Sequence, residues 1–357
     1  MEQQFPEYEI EEIDVVSDLL RRQPSIVLSN LFWVVRRYWR RLLTGRHTIR
    51  YCYYRTPYIF HKIRDLVRAR LEPRKHEFAF SLQTQSLYDA SIPGLPHFVY
   101  TDHTHLTNLV YPGFPKEDLF ARAWIDLEQE IYRNASHVFV MSEHVRQTLI
   151  DFYGCNGADS SCIYAGSNID PSSVPVNNDD YRNETIVFVG LEWERKGGKM
   201  LLEAFEKVAQ KREKARLVII GSAPRISHPR IEVLGRLSHA QVKERLSQAS
   251  IFCLPTRVEP FGIAVVEAFF HKLPVITTSI GAMPNLVRHG ESGLLVPPDD
   301  ARQLEAALLD LLENPEKCRR FGERGHSTVT ARYSWEEVGR KLRMQIDSAL
   351  SSQLAAA

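Results

Sequence analysis

Residues Ile251–Thr278 read IFCLPTRVEPFGIAVVEAFFHKLPVITT, which is two short apolar runs on either side of a helix-length segment. The runs IFCLP (Ile251–Pro255) and PVITT (Pro274–Thr278) lack the apolar and polar alternation of a half-exposed strand. Continuous apolar runs separated by a helix are typical of a parallel sheet that is covered on both faces. We therefore predict a strand, a helix and a parallel strand in this stretch.

The same alternation continues through the second half of the chain. Further strand candidates are TIVFVG (Thr185–Gly190), RLVIIG (Arg216–Gly221), IEVLG (Ile231–Gly235) and GLLVP (Gly293–Pro297), and helix candidates are Met200–Lys211, His239–Gln248 and Gly262–His271. This pattern predicts a doubly wound α/β domain, in which ligands bind at the carboxyl ends of the strands.

The first half shows the same style less cleanly. Its strand candidates are Glu9–Ile13, Ser25–Leu28, Phe78–Ser81, His97–Thr101, His137–Met141 and Cys162–Ala165. The polar, Pro- and Asn-rich stretch Asp170–Glu184 is the predicted linker. We predict an N-terminal domain over residues 1–175, a C-terminal domain over 183–330, and terminal helices with a frayed tail over 331–357.

Composition excludes several classes of protein. The chain has 357 residues, 44% of them apolar, with 45 Lys+Arg and 44 Asp+Glu, which is typical of a soluble two-domain protein and not of a disordered one. Five scattered cysteines form no CxxC pair and predict neither a disulfide framework nor a zinc site. The acidic start does not resemble a signal peptide, and no stretch approaches the roughly 20 apolar residues of a membrane span. We expect a cytoplasmic protein that is free to adsorb to a membrane surface.

Two glutamates follow the strand that ends at Pro255. Glu259 and Glu267 are eight residues apart, which is about 12 Å along a helix axis. This is the scale of a nucleotide sugar from hexose to ribose, and carboxylates accept hydrogen bonds from vicinal hydroxyls. Gly262 would let a ligand approach the helix N-terminus, where free amides favour a diphosphate. A surface helix with two solvated glutamates is the alternative for an isolated acid pair.

This segment resembles the E-x7-E motif of the family 4 retaining glycosyltransferases. The flanks are similar as well: FVGLEWERKGGKMLLEAF (Phe188–Phe205), VLGRLSHAQVKERLSQASIFCLPT (Val233–Thr256), GAMPNLVRHGESGLLVPPDD (Gly281–Asp300), ASHVFVMSEHVRQTLIDFYG (Ala135–Gly154) and YAGSNID (Tyr164–Asp170). The resemblance implies the GT-B fold, which is two Rossmann-like, doubly wound α/β domains that face each other across a cleft.

The resemblance also implies an activity. A hexose would move from a nucleoside diphosphate sugar, the co-substrate, to a glycan or glycolipid acceptor, with retention at the anomeric carbon and without a metal ion or other cofactor. Retention is thought to proceed by front-face attack, in which the leaving phosphate helps to take the acceptor's proton. The protein then contributes positioning and electrostatics rather than a nucleophile.

Site roles carry over by position. The implied catalytic residues are Glu259 on the sugar hydroxyls, Lys196 on the diphosphate, and His103 near the reacting centre, with His105 as a competing candidate. The implied donor-binding residues are Glu267 on the ribose, Lys196, Arg195, Gly190, Phe261, Gly262, Ile263 and Leu237. Lys196 also has a physical argument, because a cation beside a helix N-terminus neutralises charge on a leaving phosphate. Ser142 is expected to cap a helix rather than to bind a ligand.

The chain departs from the family pattern in places. Leu191 stands where the family commonly has arginine, so Arg195 is the nearest substitute, and Ala282 and Asn285 replace a glycine and a glutamate. The apolar first strand and glycine-rich loop with which the family usually opens are missing at the start. We therefore expect an N-terminal domain without its first strand.

One segment hides behind the neutral total charge. Leu19–Leu71 holds 13 Lys+Arg, nine aromatic residues and one acid, Asp65. On a helical wheel of residues 30–45, four arginines, Arg36, Arg37, Arg40 and Arg41, occupy an arc of about 140° opposite mainly apolar residues. Such a helix can lie on an anionic membrane. Alternatively, the apolar face packs on the domain and the arginines are merely exposed. Nucleic acid is not the expected partner, because no binding module accompanies the charge.

Two other functions compete with the transferase. One is a nucleotide-sugar 2-epimerase of the same architecture, which the E-x7-E motif disfavours. The other is a catalytically weakened, membrane-associated interaction protein, which Leu191 and the missing strand suggest.

Overall fold

The computed structural model describes residues 1–167, 169 and 181–356. They form two compact units. The N-unit comprises Met1–Leu109, Phe114–Ile163 and the chain from Gly339, and the C-unit comprises Val110–Gly113 and the described residues between Tyr164 and Val338. Residues 170–180 of the predicted linker lie outside the described residues.

The N-unit contains a parallel sheet with helices before and between its strands. The sheet has the order β1 (Ser81–Thr84), β2 (His97–Thr101), β3 (His137–Val140) and β4 (Ser160–Cys162). The helices are α1 (Pro24–Leu43), α2 (Ile49–Tyr53), α3 (Pro57–Leu71), α4 (Arg122–Asn134) and α5 (Glu143–Tyr153). All residues of β2 and β3 are buried, as expected for inner strands that are covered on both faces.

Two predicted strands of the first half are wrong. Two others, Phe78–Ser81 and Cys162–Ala165, are displaced along the chain, since β1 begins at Ser81 and β4 ends at Cys162. Ser25–Leu28 lies inside α1, because the buried side chains Asn30, Val34 and Tyr38 recur at the spacing of a helix. Glu9–Ile13 belongs to no strand. It is held by ion pairs of Glu11 with Arg70 and Arg74, at 3.1 and 3.2 Å. Among the described residues, the first strand of the sheet begins at Ser81.

The C-unit contains the predicted six-stranded parallel sheet. Its strands are β5 (Thr185–Gly190), β6 (Arg216–Gly221), β7 (Ile231–Gly235), β8 (Ile251–Leu254), β9 (Val275–Thr278) and β10 (Gly293–Val296). The order is β10-β9-β8-β5-β6-β7. The strand order therefore runs outward in opposite directions from the parallel neighbours β5 and β8. The position between them is the topological switch point of a doubly wound fold.

Helices follow most strands of this sheet. They are α6 (Gly198–Lys211), α7 (His239–Ser247), α8 (Ile263–Phe270), α9 (Met283–Leu286), α10 (Ala301–Glu313), α11 (Pro315–Arg332) and α12 (Trp335–Ala356). In the described part of the chain, no helix is long and apolar enough to cross a membrane.

The end of the chain returns to the N-unit. The predicted separate segment 331–357 is divided, because the chain from Gly339 packs with the N-unit. The Arg343 guanidinium lies over the Phe5 ring at 4.9 Å and donates to the Glu7 carboxylate at 2.9 Å. The predicted frayed tail is also helical as far as Ala356.

Candidate functional site

The switch point of the C-unit brings together two loops that are distant in sequence. One loop follows β5 and carries Lys196, and the other follows β8 and carries Glu259. Because β5 and β8 are parallel neighbours, both loops leave the same edge of the sheet. The two side chains form an ion pair between the Lys196 ammonium and the Glu259 carboxylate.

This ion pair is nearly excluded from solvent. The Lys196 and Glu259 side chains are 14% and 7% exposed. A charge buried at this depth is costly without a partner, so removing either side chain leaves the other destabilised. The pair is therefore a preformed arrangement of one cation and one acceptor beside the N-termini of α6 and α8.

Backbone contacts fix the Lys196 loop against the end of β8. Gly197 has a φ of +76°, and a Cβ at this position would lie 1.7 Å from the Pro255 carbonyl oxygen. Only glycine allows this conformation and this approach. The Arg257 amide also donates to the Arg195 carbonyl at 2.9 Å. These contacts align the two loops before any side chain is considered.

The Glu259 loop is held from its other side as well. The Glu259 backbone carbonyl accepts a hydrogen bond from the Ala282 amide at 3.2 Å, and a Cβ at Gly281 would lie 2.4 Å from the same oxygen. The Thr256 hydroxyl donates to the Val258 carbonyl at 3.0 Å, and the Thr278 hydroxyl donates to the Thr256 carbonyl. Neither these threonines nor Gly281 stands out in the sequence as a support of the site.

Arg195 braces the loop that carries Glu259. Its guanidinium forms two hydrogen bonds with Glu192, at 2.8 and 3.1 Å, and donates to the Val258 carbonyl at 2.8 Å. Although burial opposes its charge, the hydrogen bonds with Glu192 raise the pKa of Arg195. In this arrangement its donors serve Glu192 and the backbone immediately before Glu259.

Glu267 lies on α8, at a separate small cavity. The cavity has a volume of about 70 Å³ and is lined by Ile169, His239, Val242, Lys243, Leu246 and Glu267. Burial raises the pKa of the Glu267 carboxyl, against the opposing effect of His239 and Lys243. Glu259 precedes the helix, which begins at Ile263, so the expected 12 Å spacing along a helix axis does not describe this pair.

The remaining predicted donor residues lie at strand and helix ends of the C-unit. Gly190 ends β5, and its carbonyl accepts from the Ser222 hydroxyl at 2.7 Å. Leu237 lies in the loop before α7, Phe261 is buried, and Ile263 is the exposed first residue of α8.

Gly262 has a packing reason for being glycine. It caps α8 with a φ of +100°, and a Cβ there would lie 2.3 Å from the Met283 side chain and 2.9 Å from that of Leu286. Packing therefore explains a glycine at this position without the close approach of a ligand.

The two candidate histidines of the N-unit differ in their surroundings. His103 follows the carboxyl end of β2, as predicted, and its carbonyl accepts from the Thr101 hydroxyl at 2.9 Å. His105 is buried, and its Nε2 accepts from the Phe120 amide at 2.8 Å. Burial lowers the pKa of His105 to about 3, so this ring is neutral near pH 7.

Two further findings concern Ser142 and metal binding. Ser142 caps α5 by accepting from the Val145 amide at 3.4 Å, which confirms its predicted role. Among the described residues, no group of three His, Cys, Asp or Glu side chains could hold a metal ion.

Solved structures identify the class of fold. Sucrose-phosphate synthase from Thermosynechococcus elongatus matches with a TM-score of 0.64 at 20% identity, over 84% of this chain and 78% of that one. HepE from Anabaena, solved with UDP and glucose, matches with a TM-score of 0.62 at 18% identity, over 80% and 81%. The chain has the GT-B fold, as predicted.

Sequence comparisons then identify the domain. Residues 183–314 match the family described as "Glycosyl transferases group 1", so the C-unit carries a domain of this family and the predicted resemblance is confirmed.

Curated relatives match part of the chain. The "GDP-mannose-dependent monoacylated alpha-(1-6)-phosphatidylinositol monomannoside mannosyltransferase" of Corynebacterium glutamicum is 33% identical over 42% of this chain and 43% of its own. The "Phosphatidyl-myo-inositol mannosyltransferase" of Mycobacterium tuberculosis is 31% identical over 52% and 53%. The chain thus spans about half the length of these relatives.

Proposed function

We propose that this protein is a retaining glycosyltransferase that moves a hexose from a nucleoside diphosphate sugar to a glycan or glycolipid acceptor. The observation that carries this proposal is the buried ion pair of Lys196 and Glu259 at the switch point of the C-unit. Ligands of doubly wound domains bind at this point, outside the carboxyl ends of the strands.

The chemistry of the pair suits the two ends of a sugar diphosphate. The Lys196 ammonium can transfer its contact from Glu259 to a phosphate oxygen, where it neutralises the negative charge that grows as the sugar departs. The Glu259 carboxylate is then free to accept hydrogen bonds from sugar hydroxyls. In the proposed reaction Lys196, and not a metal ion, supplies this positive charge.

The proposed step needs no nucleophile from the protein. The bond between the anomeric carbon and the phosphate oxygen breaks, and the acceptor oxygen forms its new bond on the same face of the sugar. The acceptor proton passes to the leaving phosphate oxygen, so charge and atoms balance. Glu267 holds the ribose hydroxyls, and a role of His103 in the transfer is part of the same proposal. The protein contributes position and electrostatics.

The relatives support a lipid-linked acceptor. The printed names of two of them, from Corynebacterium glutamicum and Mycobacterium tuberculosis, contain phosphatidylinositol or phosphatidyl-myo-inositol, and the first also names GDP-mannose. We propose a glycolipid acceptor at the cytoplasmic face of a membrane, reached through residues 30–45. The name of the first relative contains GDP-mannose, whereas HepE was solved with UDP, so experiment has to identify the donor base.

A thermal-shift panel with GDP, UDP, ADP and their sugars tests donor binding, since a ligand that binds the native state raises the melting temperature. We expect one nucleotide series to stabilise the protein. Lys196→Met should remove most of that shift, whereas Glu259→Gln should keep the nucleoside diphosphate shift and lose the extra shift from the sugar. Turnover should fall by roughly 100- to 1,000-fold or more in each variant.

Controls separate function from folding. Lys199→Met and Glu194→Gln change exposed charges that pair with each other, Glu194 in the same loop and Lys199 in the first turn of α6, and they should leave binding and turnover unchanged. The double variant Lys196→Met with Glu259→Gln leaves no buried charge unpaired and should fold normally while remaining inactive. Near-normal turnover in both single variants would overturn the proposal. Tight nucleotide binding with donor hydrolysis alone would instead favour the weakened interaction protein.

A further inference from the structure

Helix α1 presents three different faces around its circumference. The first is buried: Asn30, Val34 and Tyr38 pack into the N-unit, and the Tyr38 hydroxyl donates to the Arg55 carbonyl. Arg41 also belongs to this side. It is half-buried and donates to the carbonyls of Asp118 at 3.2 Å and Leu119 at 2.6 Å. Arg41 is therefore not part of the exposed basic arc that the helical wheel predicts.

The second face is an exposed apolar stripe, which we call the α1 stripe. It consists of Leu28, Phe32, Val35, Trp39 and Leu43, which are 48% to 79% exposed. Their spacing of four, three, four and four residues keeps them on one side of a helix, over a length of about 22 Å. The predicted apolar arc is thus divided, with one part packed on the N-unit and the other part facing solvent.

The third face is basic. Arg36, Arg37 and Arg40 are exposed and follow the α1 stripe around the helix at about 100° per residue. The helix contains no Asp or Glu. The Arg40 guanidinium lies 5.2 Å from the Trp39 ring, so a cation and an indole stand together at the border of the two faces.

This combination fits one kind of partner. A soluble apolar partner accounts for the stripe but not for the adjacent uncompensated arginines, and a nucleic acid accounts for the arginines but not for Leu28, Val35 and Leu43. An anionic bilayer offers acyl chains and phosphates within one interface, and arginine and tryptophan side chains suit the boundary between them.

We propose that α1 lies flat in the interface of an anionic lipid bilayer, with the α1 stripe toward the acyl chains and Arg36, Arg37 and Arg40 among the phosphates. This names the surface by which the proposed glycosyltransferase reaches a lipid-linked acceptor, and it rests on that function for its purpose. Binding itself needs neither donor nor acceptor, so it can be tested alone.

The test is flotation of the full chain with vesicles of phosphatidylcholine, with and without phosphatidylglycerol. We expect binding only to the anionic vesicles. Replacing Phe32 and Trp39 together by serine should weaken binding at least tenfold at low and moderate salt, because it removes the inserted apolar groups. Replacing Arg36, Arg37 and Arg40 together by glutamine should weaken it roughly a hundredfold at low salt, at about fivefold for each charge.

Matched controls make the same chemical changes elsewhere. Phe152→Ser with Met344→Ser removes two exposed apolar side chains of the N-unit. Arg122→Gln with Arg302→Gln and Arg332→Gln removes three exposed charges. Both sets should bind vesicles like the wild type. In wild-type protein, brominated acyl chains should quench part of the tryptophan emission. Trp39→Phe should lose more of that quenching than Trp33→Phe, because Trp33 lies on the basic face of α1 and is 41% exposed, against 48% for Trp39.

Several outcomes would overturn the proposal. They are absence of binding to anionic vesicles at moderate salt, wild-type binding by the stripe variant, and equal losses in the matched controls. A stripe-dependent dimer that does not float would assign the face to a second copy of the chain. The nucleotide thermal shift of the stripe variant reports separately on the proposed function, and it should equal that of the wild type.

Discussion

Glu128 is a buried carboxyl group on α4 that connects three parts of the N-unit. One carboxylate oxygen accepts from the His105 amide at 2.9 Å, and the other accepts from the Tyr153 hydroxyl. The same hydroxyl accepts from the Leu106 amide at 2.9 Å. Glu128 and Tyr153 therefore fix the backbone at His105 and Leu106, two and three residues after His103.

Burial raises the pKa of Glu128 to about 7, although its hydrogen bonds act in the opposite direction. At a pH between its unfolded and folded pKa values, a carboxyl whose pKa is raised by folding binds a proton when the protein folds. Its contribution to stability is thus present at about pH 4.5 and is lost as the pH rises through about 7. The free energy of unfolding of Glu128→Gln minus that of the wild type should therefore increase by roughly 3 kcal/mol as the pH rises from about 5 to about 8.

Urea unfolding of both proteins across this pH range measures the difference. Burial also lowers the pKa of histidines, as for His97, whose pKa falls to about 4. The protein therefore loses stability through such histidines as the pH falls below 6.5. This loss is common to both proteins and cancels in the comparison. Glu130→Gln changes an exposed carboxyl on the same helix, which pairs with Arg64, and should show no such trend. A pH-independent difference for Glu128→Gln would show that this carboxyl does not titrate.

The sequence motif gives the positions of the candidate site residues but not their contacts. Glu259, Glu267 and Lys196 were identifiable because the motif fixes their positions, but nothing in the sequence states that Lys196 and Glu259 touch. Their contact spans 63 residues and depends on β5 lying beside β8. The role of Arg195 differs for the same reason, since its partner carbonyl at Val258 belongs to the loop after another strand.

At the scale of elements, the prediction succeeded for the six strands of the C-unit, which are mainly apolar runs and were placed within one residue at each end. Strands β8 and β9 are buried throughout, whereas β7, at the edge of the sheet, is only partly buried. The first half failed at Ser25–Leu28, where a short apolar run fits either a strand or a helix face. Helix α1 is settled by Asn30, Val34 and Tyr38, whose partners lie far along the chain.

The turn before α6 carries a prediction at this scale. Gly197 combines a positive φ with a Cβ position 1.7 Å from the Pro255 carbonyl oxygen. Gly197→Ala should therefore force the Lys196 loop away from β8 and cost roughly 2–5 kcal/mol, as the sum of conformational strain and overpacking. Chemical denaturation measures the cost, and loss of the nucleotide thermal shift reports the displaced lysine.

Gly290 supplies the matched control. Its φ of +77° is nearly the same, but a Cβ there would meet no atom within 4 Å. Gly290→Ala should cost only the conformational part, roughly 1–2 kcal/mol, and should leave nucleotide binding intact. Equal effects of the two substitutions would mean that the close approach to Pro255 does not hold the loop.

At the scale of the whole chain, the neutral total charge conceals a division. Leu19–Leu71 carries a net charge of +12, and the other residues, with 32 basic and 43 acidic side chains, carry −11. Counting charges predicted this basic segment, but only the fold distinguishes the exposed Arg36, Arg37 and Arg40 from Arg41, which is used internally. The charge count thus locates the basic segment, and the fold shows which of its arginines are exposed.

The return of α12 to the N-unit carries a prediction for the whole chain. Leu342 and Ile346 are buried, as is Phe5, over which Arg343 lies. A chain that ends at Val338 loses these contacts. Burial of two large aliphatic side chains contributes roughly 5 kcal/mol or more, which is comparable with the total stability of many domains. The N-unit should therefore unfold in the truncated protein, while the C-unit keeps its own core.

Hydrogen exchange measured by mass spectrometry distinguishes the two units. In the truncated chain, β2 and β3 should lose protection from exchange. Strands β5 and β8 should exchange as in the full chain, because the strands of the C-unit form one sheet among themselves. A chain that ends at Ser351 keeps Leu342 and Ile346 and should exchange like the wild type throughout. Protected β2 and β3 in the shorter chain would show that the N-unit core is complete without α12. Loss of protection in β5 and β8 as well would show that the two units depend on each other for stability.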